Sequence, residues 1–375
     1  MLEQVMLDAL LSRLNRWALK HIGRDWLDYV ASNTMTDFNR RWNDFIWTYD
    51  LQAIVVGIKD EAPGVKTLTL MPNQLWKSAE PGQYIALNAS INGEAVSRYY
   101  SLSPMEDDCF TITVKRVSGG KVSNWVHDQV KPGMVLSIGQ PQGHFCYRQQ
   151  SKILFISAGA GITPAYSMLK ALMAYHIRPD MAMYVQFAAA QDVIFKDTLQ
   201  RWRSEGLALT TALSRPTSED KASGKFAATL DVSNIDTLIP DFRERDIYLC
   251  GPQGFMDKVV NILKEKGYDL GKLDSERFVA HEIKPLTPED FKAAQAEIYF
   301  RHLDRRVQLT EEDQGLSLMQ IAERHQVPVE TGCRQGMCGT CKLTLREGDV
   351  VGNMLGNAVY LCTAFPASNK LVLDA

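Results

Sequence analysis

The stretch Cys333-Arg-Gln-Gly-Met-Cys338-Gly-Thr-Cys341 places three cysteines within nine residues, and Cys362 follows after twenty more. Cys-x4-Cys-x2-Cys with a distant fourth cysteine is the ligand spacing of a [2Fe–2S] centre, which needs two thiolates on each iron. Gly336 and Gly339 let the loop wrap closely enough for backbone N–H groups to face the sulfurs. Arg334 adds positive charge beside an anionic cluster. Structural zinc is the competing reading, but zinc ribbons usually carry two close cysteine pairs, and here there is a triplet and one distant residue.

Outward from this loop, residues 294–375 read as one compact unit, with a hairpin (Ala296–His302, Arg306–Leu309) and a helix (Leu316–His325) ahead of the cysteines. Residues 273–293 hold Pro285 and Pro288 without clear periodicity and are expected to be a linker. Residues 149–272 alternate apolar strand runs, such as Lys152–Ser157 and Asp246–Cys250, with helical stretches, the signature of a parallel α/β sheet. Residues 48–148 break into short β-rich runs between turns such as Pro81–Gly82 and Pro132–Gly133, which predicts a small antiparallel barrel. Residues 1–47 have Leu7, Leu10, Leu11 and Leu14 at helical spacing with charges between them. They are expected to form a helical N-terminal extension: either an amphipathic cap on the next domain or a docking face for a partner or a membrane surface.

Composition narrows the function. The chain has 375 residues, with 45% apolar and 23% charged residues and a formal net charge of −3, so a nucleic-acid partner is not expected. Seven cysteines, three of them crowded together, suit metal ligation in a reducing compartment better than a disulfide framework. No run reaches the roughly 18 apolar residues of a spanning helix. The expected location is cytoplasmic, with peripheral membrane association if the N-terminal helices bind lipid.

Two further motifs precede the cluster. Arg98-Tyr99-Tyr100-Ser101 follows a strand of the barrel and supplies a guanidinium, an aromatic face and a hydroxyl. Gly120-Lys-Val-Ser123 opens a helix, a natural pyrophosphate site. In the α/β region, Ala158-Gly159-Ala-Gly161-Ile-Thr163-Pro164 joins a strand to a helix through a phosphate-cradling turn, with Pro164 in place of a third glycine. Cys250-Gly251-Pro252 ends a later strand, and Ser214-Arg215 ends another. No acidic residue stands at that second strand end to bond a ribose, which leans toward NADPH over NADH.

Together these motifs resemble the ferredoxin–NADP reductase superfamily, and the cysteine loop resembles plant-type ferredoxins. The order of parts is similar to that of phthalate-dioxygenase-reductase-type enzymes, hybrid-cluster-protein reductases and reductases that serve fatty-acid desaturases. The resemblance implies an FAD-binding β-barrel, a parallel α/β nicotinamide domain and a β-grasp [2Fe–2S] domain. It implies that Arg98, Gly120 and Ser123 hold the FAD pyrophosphate, that Tyr100 stacks on the isoalloxazine and that Ser101 bonds near N5. Gly159, Gly161, Thr163, Cys250, Gly251 and Pro252 would surround the nicotinamide nucleotide, with Cys250, Ser101 and Thr163 nearest the reacting atoms. Ser214 and Arg215 would grip a 2′-phosphate, Phe278 would lie near the flavin, and Cys333, Cys338, Cys341 and Cys362 would ligate the cluster. The activity implied is transfer of electrons from NADPH or NADH through FAD and the cluster to an acceptor protein: a desaturase, an oxygenase or a hybrid-cluster protein. In the ferredoxins the fourth cysteine usually lies farther from the third than Cys362 lies from Cys341, so Lys342–Leu361 is a shortened segment. Two other readings remain open from the residues alone: a flavin oxidoreductase with a structural metal in its C-terminal domain, and a non-catalytic flavin and cluster subunit.

Overall fold

The computed structural model describes residues 50–104, 109–174, 179–278, 291–331 and 339–374, together with Phe45, Thr48 and Gly336. The helical reading of 1–47 and its docking role lie outside them, as do Cys333, Arg334 and Cys338. No helix among the described residues is long and apolar enough to cross a membrane.

The strands β1 (Gln52–Ala62), β2 (Val65–Pro72), β3 (Tyr84–Ile91), β4 (Glu94–Pro104), β5 (Phe110–Lys115) and β6 (Val135–Ile138) close into an antiparallel barrel in the order β1-β2-β5-β4-β3-β6. Alternating inward residues fill it, among them Val55, Leu68, Ile85, Leu87, Leu102 and Ile112. Arg98–Ser101, expected after a strand, lies inside β4, which pairs with β3 from Glu94 to Ser101. The cause is the β-rich run Ala95–Ser103, whose backbone groups find their partners in that ladder.

A parallel sheet follows, built from β7 (Lys152–Ala158), β8 (Asp180–Phe187), β9 (Ala208–Leu213), β10 (Asp246–Cys250) and β11 (Leu273–Glu276) in the order β11-β10-β7-β8-β9. Both faces of the central strand β7 are buried: Ile153 and Phe155 in one core, Leu154 and Ile156 in the other. That double burial is why its sequence reads as a continuous apolar run. Leu273–Glu276, expected to begin the linker, is instead the edge strand of this sheet, pairing with β10 from Ile247↔Leu273 to Cys250↔Glu276.

The C-terminal unit is a mixed sheet of β12 (Glu297–Phe300), β13 (Arg305–Gln308), β14 (Lys342–Glu347), β15 (Val350–Leu355), β16 (Ala358–Pro366) and β17 (Lys370–Asp374), ordered β13-β12-β17-β14-β16-β15. The helix Leu318–Arg324 covers it. Its core is continuous with one face of the parallel sheet: Leu154, Tyr184 and Met256 share a cluster with Ile298, Tyr360 and Leu373. A shared apolar core holds the two units together more firmly than a polar inter-domain contact would.

Asp313, fully buried before that helix, accepts hydrogen bonds from Thr310 N–H at 2.8 Å and from His325 Nε2 at 3.0 Å. Burial opposes its charge, but the bonds from Thr310 N–H, His325 and the Thr310 hydroxyl prevail and hold the carboxyl below its ordinary value. A lowered folded pKa stabilises the protein above the unfolded pKa of about 3.9, and that gain is lost as pH falls through the folded value. Melting curves taken at stepwise lower pH are therefore expected to show the C-terminal unit losing stability in that acid window, and Asp313→Asn is expected to flatten the dependence.

Candidate functional site

Cys341 closes the Gly339–Thr340 turn at the start of β14, and Cys362 lies in β16 beside it. Their sulfurs stand 3.3 Å apart. A disulfide would bring them to about 2.05 Å, so the pair converges on a common ligand position. The backbone N–H of Gly336 donates to Cys362 Sγ at 3.1 Å. Gly336 has φ +68°, and a Cβ there would lie 2.3 Å from Thr363 Oγ1 and 2.5 Å from Asn353 Nδ2, so only glycine fits. Converging thiols with an amide aimed at sulfur suit a thiolate-bound iron–sulfur cluster.

On the barrel, Ser101 is buried and its Oγ has no hydrogen-bond partner among the described residues. A buried hydroxyl without a partner is costly unless a ligand completes it, which fits a flavin ring edge. Tyr100 is half-buried; burial, against the pull of Arg98, pushes its hydroxyl up to about 12. Arg98 is exposed and free of ion pairs among the described residues, its Nη1 donating only to Ser97 O at 2.7 Å. Gly120 caps the helix Lys121–Asp128. The Ser123 hydroxyl is engaged locally, accepting from Val117 N–H at 3.2 Å, so the helix start offers an anion its backbone more than this side chain.

At the sheet, β7 runs through the turn Gly159–Gly161 into the helix Ile162–Ala174. Gly159 has φ +53° with open space where a Cβ would stand. Gly161 touches the next loop: a Cβ there would fall 2.4 Å from Cys250 O. The Thr163 hydroxyl donates to Ala160 O at 3.0 Å, pinning the turn. Cys250 pairs in register with Ser157 on β7 and Glu276 on β11, so the three side chains stand abreast at the carboxyl ends of adjacent strands. Burial, with the nearby Glu276, drives the Cys250 thiol well above its ordinary value. Pro252 caps the helix Gln253–Glu265, and Gly251 leaves room for Phe255 and Ala158. Phe278 is half-buried against the core that contains Ile162 and Cys250. Ser214 and Arg215 sit exposed just past β9, at the opposite edge of the sheet from β11.

Several residues here escaped the motif reading. Ser157 is fully buried with an Oγ that has no partner among the described residues. Glu276 is buried beside Cys250, and Arg277 and Asn353 are buried too, Asn353 donating to Gly336 O. Only Glu276 and Arg277 carried a signal, as charges next to Phe278. A separate open cleft of about 1830 Å³ runs between the barrel's exit segment, β11 and the C-terminal unit. Arg148 and Lys342 bridge it on Asp274, at 3.0 and 2.8 Å. It is lined by Cys146, whose thiol burial pushes up to about 12, and by none of the motif residues of the barrel or the glycine turn.

Comparison with known proteins agrees with this arrangement. The oxidoreductase FAD-binding domain family matches residues 70–147, the oxidoreductase NAD-binding domain family 155–261, and the 2Fe-2S iron-sulfur cluster binding domain family 301–367. The chain is 30% identical over 314 residues to the glycine betaine monooxygenase reductase subunit of Pseudomonas aeruginosa (strain UCBPP-PA14), covering 79% of this chain and 85% of that one. It is 30% identical over 376 residues to an NADPH oxidoreductase of Mycobacterium tuberculosis, covering 95% and 93%. Phthalate dioxygenase reductase shares the fold, with a TM-score of 0.54 at 22% identity over 87% of this chain and 98% of that one. The chain thus belongs to the ferredoxin–NADP reductase superfamily, as an NAD(P)H-dependent FAD reductase with a C-terminal plant-type [2Fe–2S] domain.

Proposed function

We propose that this chain draws electrons from NADPH and delivers them to a separate oxygen-activating iron enzyme, along a path laid out by strand order. The carrying observation is the sheet itself. Ser214 and Arg215 follow β9 at one edge, the Gly159–Gly161 turn and Cys250 end the central strands, and β11 is the other edge. A Cβ on Gly339 would lie 3.6 Å from Ser275 O, one residue before Glu276.

In this reading Ser214 and Arg215 grip the 2′-phosphate, and Gly159 and Gly161 cradle the nucleotide's pyrophosphate. Thr163, Gly251 and Pro252 shape the turns around the nicotinamide. Burial and the neighbouring Glu276 raise the Cys250 pKa and disfavour its thiolate, so it packs and positions without acting as a nucleophile. Arg98 and the backbone at Gly120–Ser123 take the FAD pyrophosphate, Tyr100 stacks on the ring, Ser101 bonds its N5 edge, and Phe278 packs at its border. Cys333, Cys338, Cys341 and Cys362 ligate the cluster. Bound FAD splits an electron pair into single electrons and the [2Fe–2S] cluster carries them singly.

The oxygenase class of acceptor is supported by the name of the monooxygenase reductase subunit among the relatives. NADPH is supported by Arg215 and by the name of the relative that spans nearly the whole chain. A membrane-bound desaturase docking through residues 1–47 is the narrower proposal, supported by their amphipathic pattern. In the test, NADPH added without air is expected to bleach both the flavin and the cluster bands of the purified protein. Arg215→Ala is expected to lower kcat/KM for NADPH by about tenfold to a hundredfold, the cost of one lost charge-assisted hydrogen bond, and to leave NADH unaffected. Colourless protein, or equal losses with both nucleotides, would defeat the proposal.

A further inference from the structure

Arg277 leaves β11 and is almost fully buried, at 4% exposure. Its guanidinium reaches in two directions. Nη2 donates to Asp257 Oδ1 at 3.1 Å, on the helix that begins at the Cys250-Gly251-Pro252 turn. Nη2 also donates to Met354 O at 2.8 Å, and Nη1 to Asn353 Oδ1 at 2.6 Å, both on β15 of the C-terminal unit. Asn353 is wholly buried, and its Nδ2 donates onward to Gly336 O at 2.7 Å. Gly336 is the residue whose N–H meets Cys362 Sγ. A continuous chain of hydrogen bonds therefore runs from the nucleotide-site helix through Arg277 and Asn353 to a cysteine sulfur.

We propose that Arg277 and Asn353 are positioning residues that orient the Gly336 N–H toward Cys362 and so set the redox potential of the cluster from the nicotinamide side. The inference rests on Cys362 being a cluster ligand. An N–H···S bond withdraws charge from the thiolate and favours the reduced, more negative cluster, so loosening it lowers the potential. Geometry carries this effect, beyond charge alone. Asn353 accepts from one neighbour and donates to the other, a role that needs an amide. Arg277 serves three acceptors from two nitrogens of one planar fork, a spread that a single ammonium nitrogen does not span.

The test uses full-length protein carrying FAD and the cluster, with two variants: Arg277→Lys, which keeps the charge and loses the fork, and Asn353→Leu, which removes the bridge and leaves Arg277 in place. A potentiometric titration followed by EPR of the reduced cluster, with the flavin followed optically in the same samples, is expected to show a lower cluster potential in both. The expected size is about a tenfold shift of the one-electron equilibrium toward the flavin, about 59 mV, with the flavin potential unmoved and an altered cluster EPR line shape. If Arg277→Lys does not accumulate, Asn353→Leu alone decides, by the same readout. An unchanged potential and line shape at full iron and sulfide content overturns the proposal. A parental protein with no iron–sulfur EPR signal on reduction overturns the cluster assignment instead.

Discussion

Cys338→Ser is expected to abolish NADPH-driven reduction of cytochrome c while sparing reduction of ferricyanide at the flavin. A serine hydroxyl is a poor substitute for one of four thiolates, and with the cluster lost the electrons lose their route to cytochrome c, whereas ferricyanide, a small one-electron oxidant, reacts at the flavin itself. The flavin half survives for a structural reason. The barrel has its own core, built from residues such as Leu68, Ile85 and Ile112. The C-terminal unit, in turn, is held to the parallel sheet by a shared apolar core that includes Tyr360, Leu361 and Met256. Docking therefore depends on packing and persists without metal. Stopped-flow assays with the two acceptors, beside iron and sulfide analysis, check this. Equal loss of both activities would show that the cluster is needed to build the nucleotide site.

Arg245→Ala is expected to give the largest loss of stability outside the cluster. Arg245 is nearly buried at the amino end of β10, where it ties three strands together. Nη1 donates to Ile153 O at 3.2 Å and Asp180 O at 3.0 Å, while Nη2 meets Asp180 Oδ1 at 3.0 Å and Asp241 Oδ2 at 2.6 Å. Truncation removes the donor shared by the Ile153 and Asp180 carbonyls and leaves two carboxylates facing each other. Both carboxylates are partly exposed, with 51% and 36% of their side chains accessible, so water recovers part of the loss. The net cost is about 3 kcal/mol. Urea denaturation read by far-UV circular dichroism checks it; a loss within about 0.5 kcal/mol, ordinary for a surface change, would mean that the sheet does not depend on this anchor.

The sequence by itself determined the parts that are local. Cys333, Cys338 and Cys341 fall within nine residues of sequence, so their spacing alone points to a cluster. The Gly159–Gly161 turn sits between one strand and one helix, so its apolar run and glycines suffice to place it. The same holds for the barrel, whose short runs and turns are written in order along the chain. The tertiary structure alone decided what depends on partners distant in sequence. Leu273–Glu276 carries no strand signal strong enough to stand out, and becomes β11 only because β10 offers it a ladder. Ser157, Cys250 and Glu276 come from separate segments, and parallel register sets them abreast. Arg277 and Asn353 are 76 residues apart and look like surface residues in the chain, yet burial at the joint between two sheets makes them partners. Motif chemistry lives in neighbours along the backbone. The proposed order of carriers across the carboxyl ends of the sheet rests on strand pairing, a long-range property that composition and spacing do not encode.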